Sequence, residues 1–338
     1  MNIKRLITAL SLMFTLGLIG LGGLMLWLAP QVKAFYEQPL QVSEASYLVP
    51  QGSHIGRLAR DFENRGWVER ADVLRYWYRF RGQAAQIRAG EFAMVEGDTV
   101  DSLLQRIVNG DVVQHPVTVV EGQRFSDFRK ALAKAEGLEQ KTASWSDAEI
   151  MTALGAEGEH PEGQFFPDTY FYTRGASDLS ILKQSYQRLQ QTLNKEWEER
   201  DEGLPIKTPY EALILASIIE KETGLASERP EIAGVFVRRL RKGMKLQTDP
   251  TIIYGMGDRY DGNIRRRDIR EATPYNTYVI KGLPPTPIAL PGAAAIHATL
   301  HPKDGDALYF VATGDGGHYF SATLEEHNRA VRKYQLKR

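Results

Sequence analysis

Thr208-Pro209-Tyr210-Glu211-Ala212-Leu213-Ile214-Leu215-Ala216-Ser217-Ile218-Ile219-Glu220-Lys221-Glu222-Thr223-Gly224 reads as one helix with both ends marked. Thr208 is an N-cap, Pro209 suits the first helical position, Glu211 completes a capping box, and Gly224 is a natural left-handed terminator. The middle is apolar on every side, which places the helix in the centre of a core rather than on a surface. Its last turn nonetheless carries two carboxylates.

Helix C-terminal partial charge, a neighbouring like charge and low dielectric all raise a carboxyl pKa, and Lys221 opposes them if it folds back. An acid kept protonated near neutral pH is what cleavage of a glycosidic bond requires. The bland alternative is a pair of solvated carboxylates at a fraying helix end. At 3.6 residues per turn, positions 220 and 222 point about 200° apart and cannot flank one bond. Glu220 shares its stripe with Leu213, Ala216 and Ser217, whose small members leave room for a ligand. Glu222 shares its stripe with Leu215, Ile218 and Ile219. Glu220 is therefore expected to be the working acid, with Glu222 and Ser217 in supporting places.

Outward from this helix, the pattern is α+β without regular βαβ alternation and without a Gly-rich nucleotide loop. Tyr47-Leu48-Val49 predicts a strand, Ser53 caps a helix on Ile55, Leu58, Ala59 and Phe62, and a second helix carries Val73, Leu74, Trp77 and Tyr78. A strand over Glu91–Val95 closes a βααβ unit. Asp98 is expected to cap a helix on Val100, Leu103, Leu104 and Ile107 that Gly110 ends. A long helix follows Asp178, another carries Ile232, Val235, Phe236 and Leu240, and Gly314-Asp315-Gly316-Gly317 links a β-hairpin.

From Leu6 to Ala29 no residue is charged, a length sufficient to cross a bilayer and longer than the usual apolar region of a cleaved leader. Lys4 and Arg5 precede it, so the remainder is expected beyond the cytoplasmic membrane, with residues 1–5 as a cytoplasmic tail. Residues 30–45 read as a linker.

Composition narrows the chemistry. The 338 residues are 43% apolar and 25% charged, with 42 basic and 42 acidic side chains. A balanced surface offers no phosphate-neutralising face, so nucleic acid is not an expected partner. Without cysteine there are no disulfides, thiolate zinc sites or Cys nucleophiles. His297 and His301 are four apart, but the Glu of a His-Glu-x-x-His site is missing and Pro302 follows, so no metal is expected. A Gly-x-Ser-x-Gly elbow is also missing. No cofactor is expected.

Leu215-Ala216-Ser217-Ile218-Ile219-Glu220-Lys221-Glu222-Thr223 resembles the signature of the YceG-like family of endolytic murein transglycosylases. So do Glu162-Gly163-Gln164-Phe165-Phe166-Pro167-Asp168-Thr169-Tyr170, Leu246-Gln247-Thr248-Asp249-Pro250-Thr251 with Tyr254-Gly255, Tyr275-Asn276-Thr277-Tyr278, and Gly282-Leu283-Pro284-Pro285 with Pro287-Ile288 and Pro291-Gly292. The ordered blocks cover most of the chain. The resemblance implies a transmembrane helix over 6–29, a LysM-like βααβ subdomain over 46–118 and a larger mixed α+β catalytic domain over 119–338. It implies cleavage within peptidoglycan strands at the inner membrane, on the periplasmic side, with the catalytic glutamate on Glu220. That residue would protonate the oxygen leaving C1 of N-acetylmuramic acid, and the C6 hydroxyl of the same sugar would attack, leaving a 1,6-anhydro end.

Asp168, Gln247, Thr248, Asp249, Tyr254, Asn276 and Tyr278 in these blocks are types suited to amide-bearing sugars, though each also has an ordinary reading as turn, cap or core. Peptidoglycan strands and wall synthases are the expected partners. A hydrolytic muramidase and a non-catalytic glycan-binding scaffold are the alternatives.

Overall fold

The apolar N-terminal run lies within one helix, α1 (Ile3–Tyr36), in the computed structural model, which describes residues 3–40, 44–83 and 86–336. Within it, Leu10–Ala34 is long and apolar enough to cross a membrane, and none of that stretch is buried inside the protein. At about 1.5 Å per residue its 25 residues extend about 37 Å, against a hydrocarbon core of about 30 Å. The helix continues through Pro30, so residues 30–36, expected as linker, are helical. A proline inside a helix forfeits one backbone bond. Continuing is favoured here because Val32 and Tyr36 pack into a core, with Tyr36 only 2% exposed. Positions 1, 2 and 41–43 of the expected tail and linker lie outside the described residues.

The chain divides into two units, Met1–Gln114 and His115–Arg338. In the first, β1 (Ser46–Val49) pairs antiparallel with β2 (Gly90–Ala93), with Ser46 opposite Ala93 and Val49 opposite Gly90. Between them run α2 (Ile55–Asn64) and α3 (Ala71–Phe80), and α4 (Val100–Asn109) follows. The βααβ order is therefore present. Two caps differ from expectation. His54, not Ser53, occupies the N-cap of α2 and makes no side-chain cap bond. Thr99, not Asp98, caps α4, because the Asp98 carboxylate accepts the Val95 N–H at 2.7 Å and pairs with Arg106. Gly110 ends α4 with φ of 80°.

The second unit opens with β3 (His115–Thr118), paired antiparallel with β4 (Thr169–Tyr172). That pairing is why the division falls four residues before the expected 118/119 boundary: the strand belongs with its partner. Between these strands lie α5 (Phe125–Lys134) and α6 (Asp147–Ala153), and after them come α7 (Asp178–Glu198), α8 (Pro209–Glu222), α9 (Arg229–Arg241), α10 (Asp249–Met256), α11 (Arg266–Arg270) and α12 (Ala293–Leu300). The hairpin of β5 (Tyr309–Ala312) and β6 (His318–Ser321) is covered by α13 (Leu324–Tyr334).

The all-apolar helix takes the central place. α8 packs against α7, α9, α10 and α12, and every residue from Ala212 to Ile219 is buried. Thr208 accepts the Glu211 N–H at 3.1 Å, while the Glu211 carboxylate reaches one residue further back, to the Lys207 N–H at 2.6 Å. The expected left-handed end at Gly224 does not form. Thr223 is already extended (φ −144°), and its hydroxyl accepts the Leu225 N–H at 3.0 Å.

Because Leu215 is fully buried in this cluster, Leu215→Ala should cost about 2–5 kcal/mol. Urea unfolding of the detergent-solubilised chain measures it, and a loss under 1 kcal/mol would contradict the central packing of α8.

Candidate active site

The buried middle of α8 carries no charged residue, and the two carboxylates of its final turn leave on opposite sides. Glu220 turns toward the start of α9, where Arg229 Nη2 donates to Oε1 at 3.1 Å. Its other oxygen accepts the Gly292 N–H at 2.9 Å. The side chain is 4% exposed and that of Arg229 10%. Glu121 approaches the same guanidinium at 3.8 Å; burial, then the nearby Glu220 charge, raise the Glu121 carboxyl against the pull of Arg229. Lys221 does not fold back on its neighbours but donates to the Gly122 carbonyl at 3.1 Å. The end of α8 is thereby tied to the 121–122 turn, the 292 loop and α9.

Ser217 belongs to this framework. Fully buried, it donates to the Ile214 carbonyl at 2.7 Å and accepts the Ile288 N–H at 3.0 Å. The small side chain thus admits the 288 backbone where the sequence reading left room for a ligand.

Glu222 faces a different setting. It lines a cavity of about 580 Å³ together with Gln247, Thr248, Asp249, Tyr278, Arg239, His318 and Tyr309. The Thr248 hydroxyl donates to Glu222 Oε1. Burial pushes the carboxyl up from 4.5 to about 7; the Thr248 bond pulls it down, the Asp249 charge adds to the rise, and His318 and Arg239 oppose it. In the same cavity Tyr278 donates to Asp249 Oδ1 at 2.7 Å, and burial together with that bond pushes the phenol above its usual range.

The loop entering α10 presents these groups. Gln247 has φ of 53°, a left-handed conformation in a residue with a side chain, which costs on the order of 1–3 kcal/mol. It is held by Gln247 N–H to the Thr277 carbonyl at 3.1 Å and by Thr248 N–H to the Thr277 hydroxyl at 3.0 Å.

Four of the seven substrate-type residues named from sequence, Gln247, Thr248, Asp249 and Tyr278, therefore meet around Glu222. The other three do not line that cavity. Asp168 pairs with Arg188 and accepts the Thr169 N–H at 2.7 Å, bracing the entry to β4. Tyr254 donates to Glu162 at 3.2 Å beneath Arg124. Asn276 is 1% exposed and ties the turn after α11, donating to the carbonyls of Asp268, Ile269 and Glu271 and accepting the Tyr278 N–H.

Arg239, His318 and Tyr309 were missed in the sequence. Arg239 had a signal: it continues the buried stripe of Ile232, Val235 and Phe236, and a cation there needs partners. It donates to the Leu308 carbonyl at 2.6 Å and the Leu246 carbonyl at 2.7 Å. His318 joins Glu228 at 2.8 Å from the hairpin, a pairing no local pattern announces.

The chain belongs to the YceG-like family, whose model matches residues 47–333. It is 30% identical to the endolytic murein transglycosylase of Bacillus subtilis over 308 residues, 85% of this chain and 83% of that one. Identity to the Streptococcus pneumoniae endolytic murein transglycosylase of strain D39 is 25% over 333 residues; the alignment takes in 88% of this chain and 60% of that longer relative. The crystal structure of a YceG-like protein from Listeria monocytogenes superposes with a TM-score of 0.53 at 26% identity, covering 84% of this chain and 98% of that one.

Two stability effects separate the carboxylates. Glu220→Gln breaks a buried ion pair and should cost about 3 kcal/mol. For Glu222 the folded pKa is raised, so below pH 4.5 its contribution is nil. Between 4.5 and about 7 the unfolded chain ionises first and stability falls as pH rises; above about 7 the penalty is complete. Glu222→Gln, which keeps an acceptor for Thr248, should thus raise stability at pH 8 by up to about 3 kcal/mol and leave it unchanged near pH 4. Unfolding curves at the two pH values check the sign.

Proposed function

We propose that the chain is a membrane-anchored endolytic transglycosylase of murein and that Glu222 is its proton donor. The observation that carries this reading is the placement of the Glu222 carboxyl in the wall of a cavity with Thr248, Asp249, Gln247 and Tyr278, where burial pushes it up to about 7. The names of the B. subtilis and S. pneumoniae relatives support the substrate class.

From the sequence alone Glu220 is expected to be the acid and Glu222 to support it. The geometry favours the exchange of these roles. Both oxygens of Glu220 already accept hydrogen bonds, from Arg229 and the Gly292 N–H, and its side chain does not line the cavity. Glu222 is half-buried and faces the cavity, and its burial raises the carboxyl.

In this mechanism Glu222 gives its proton to the oxygen leaving C1 of an N-acetylmuramic acid residue as the glycosidic bond breaks. The C6 hydroxyl of that sugar attacks C1 and returns its proton to Glu222, so no water is consumed and the acid is regenerated. One product ends in 1,6-anhydromuramic acid and the other carries a free hydroxyl. Asp249, on the same cavity wall and held by Tyr278, contributes negative charge that stabilises the oxocarbenium character at C1. The same Asp249 is what a hydrolytic muramidase would use to activate water, so the mass of the products distinguishes the two: an anhydro end lacks one water.

Leu10–Ala34 supports the anchor, and Lys4 and Arg5 ahead of it support the proposed placement of the larger part of the chain on the periplasmic side of the inner membrane. Tyr76, Trp77 and Phe80 of α3 form an apolar groove with Met25, Leu28 and Val32 of α1, a composition suited to the lipid interface. The βααβ unit is read as LysM-like and as a second glycan contact. Growing strands are met where synthases make them, and recovery of a wall synthase with the detergent-extracted protein tests that partnership.

Glu222→Gln should lower release of anhydro-ended fragments from purified glycan by about 10²–10⁴-fold. The wild-type kcat/KM should fall tenfold per pH unit above about 7, as the acid ionises. Folded Glu220→Gln should keep turnover within about threefold of wild type, since a surviving fold leaves the acid in place. An inactive Glu220→Gln beside an active Glu222→Gln would return the role to Glu220. A Glu222→Gln protein that binds glycan without cutting it excludes the scaffold reading.

A further inference from the structure

The carboxyl-terminal ends of α7 and α12 bring three ligand-type side chains together. Glu196, His297 and His301 each present one donor atom, and these atoms lie within 4.8 Å of one another. His297 Nδ1 is 2.7 Å from Glu196 Oε2, and His301 Nε2 is 3.8 Å from the same oxygen. None of the three lines the Glu222 cavity. We propose that they form a binding site for a tetrahedral, nitrogen-preferring divalent cation of the Zn²⁺ class, with water in the fourth position.

The spacing fits that class. Bonds of about 2.0–2.1 Å to nitrogen and 2.0–2.2 Å to oxygen at tetrahedral angles set ligand atoms about 3.3 Å apart. The two measured separations bracket this value, so rotamer adjustments suffice. His297 and His301 are one helical turn apart with ring centroids at 4.4 Å, so both nitrogens approach from one side. Magnesium and calcium favour all-oxygen sites and are not expected here.

A second feature points the same way. Asp201 Oδ1 lies 3.0 Å from His301 Nδ1, which fixes the ring and presents Nε2 toward Glu196. A carboxylate on the far nitrogen of a ligating histidine orients the ring and raises its basicity. Asp201 is itself held, because its backbone N–H donates to the Leu300 carbonyl at 3.0 Å. No local sequence pattern discloses this group, because the glutamate comes from a helix a hundred positions earlier rather than from between the histidines.

Bound there, the cation ties α7 to α12, and both helices pack on α8. Its expected role is to brace the core rather than to act on substrate.

The test uses the untagged full chain in detergent, stripped with EDTA and titrated calorimetrically with ZnCl2, with MgCl2 as control. One Zn²⁺ per chain should bind, Mg²⁺ should not, and saturation should raise Tm by several degrees. Asp201→Asn, which removes no ligand, should weaken Zn²⁺ binding about 10–100-fold. His301→Gln should abolish it. Co²⁺ added to the wild-type chain should give the intense visible absorption of tetrahedral coordination, a readout that needs no variant to fold. The spectrum of the aqueous ion, or Zn²⁺ binding unchanged by His301→Gln, would overturn the site. Either result leaves the murein-cleaving reading untouched, because neither measures activity.

Discussion

The dehydration of α8 is the constraint from which the site follows. A helix buried from Ala212 to Ile219 cannot place charged groups along that stretch, and it holds Ser217 there with both hydroxyl bonds made inside the protein, so Glu220, Lys221 and Glu222 come only in the last turn, where the helix leaves the core. There the 3.6-residue repeat sends Glu220 and Glu222 to opposite sides. Each carboxylate must then find its own solution to the same low dielectric. Glu220 finds a guanidinium and a backbone N–H. Glu222 finds a hydroxyl and the edge of a cavity, which is too little to hold a charge cheaply, and its carboxyl rises.

On the proposed reading, this division separates framework from chemistry within three residues. The Glu220 side joins four segments: the 121–122 turn through Glu121 and the Lys221 bond to Gly122, the 292 loop, α9 through Arg229, and the 288 backbone through Ser217. Close approach is required around it. At Gly163, with φ of 79°, a Cβ would lie 2.4 Å from Pro287, so the 163 turn and the proline-rich segment meet only because that residue has no side chain. Such a framework holds the end of α8 still, which a proton donor needs, since its reach is a hydrogen-bond length.

The legibility of the fold in the sequence tracks the range of the forces involved. Local rules sufficed for the Thr208 cap, the buried face of α8, the βααβ order and the Gly314–Gly317 hairpin, because each is decided within a few residues. They failed where a long-range partner competed: Asp98 is drawn from the cap by Arg106, Pro30 is carried through a helix by the burial of Tyr36, and Gly224 is pre-empted by Thr223. The candidate site was half legible. Helical geometry gave the divergence of the two glutamates, but the identity of what each faces depends on Arg229, Gly292 and Thr248, nine to seventy-two positions away in sequence. A stripe of small residues marks a side of the helix but not what occupies it, and at Ser217 the occupant is backbone, the Ile288 N–H.

Strain and dehydration also coincide in space. Gln247 holds a left-handed backbone immediately before Thr248, and Thr248 is the residue whose hydroxyl meets Glu222. Relaxing Gln247 would redirect that hydroxyl. The conformation is fixed by Thr277 from one side and by Arg239 from the other, whose guanidinium bonds the Leu246 carbonyl and reaches Gln247 Oε1 at 3.4 Å. Arg239 is at the same time one of the charges that moderate the rise of the Glu222 carboxyl. A single buried cation thus couples the strained loop to the electrostatics of the acid. Two unfavourable terms, an uncommon φ and a poorly hydrated carboxyl, meet at one edge of one cavity, offset by the apolar core beneath. Folds driven by stability alone disperse or remove such terms, and their concentration beside Glu222 is the physical argument for reading this cavity as the place where the protein does its work.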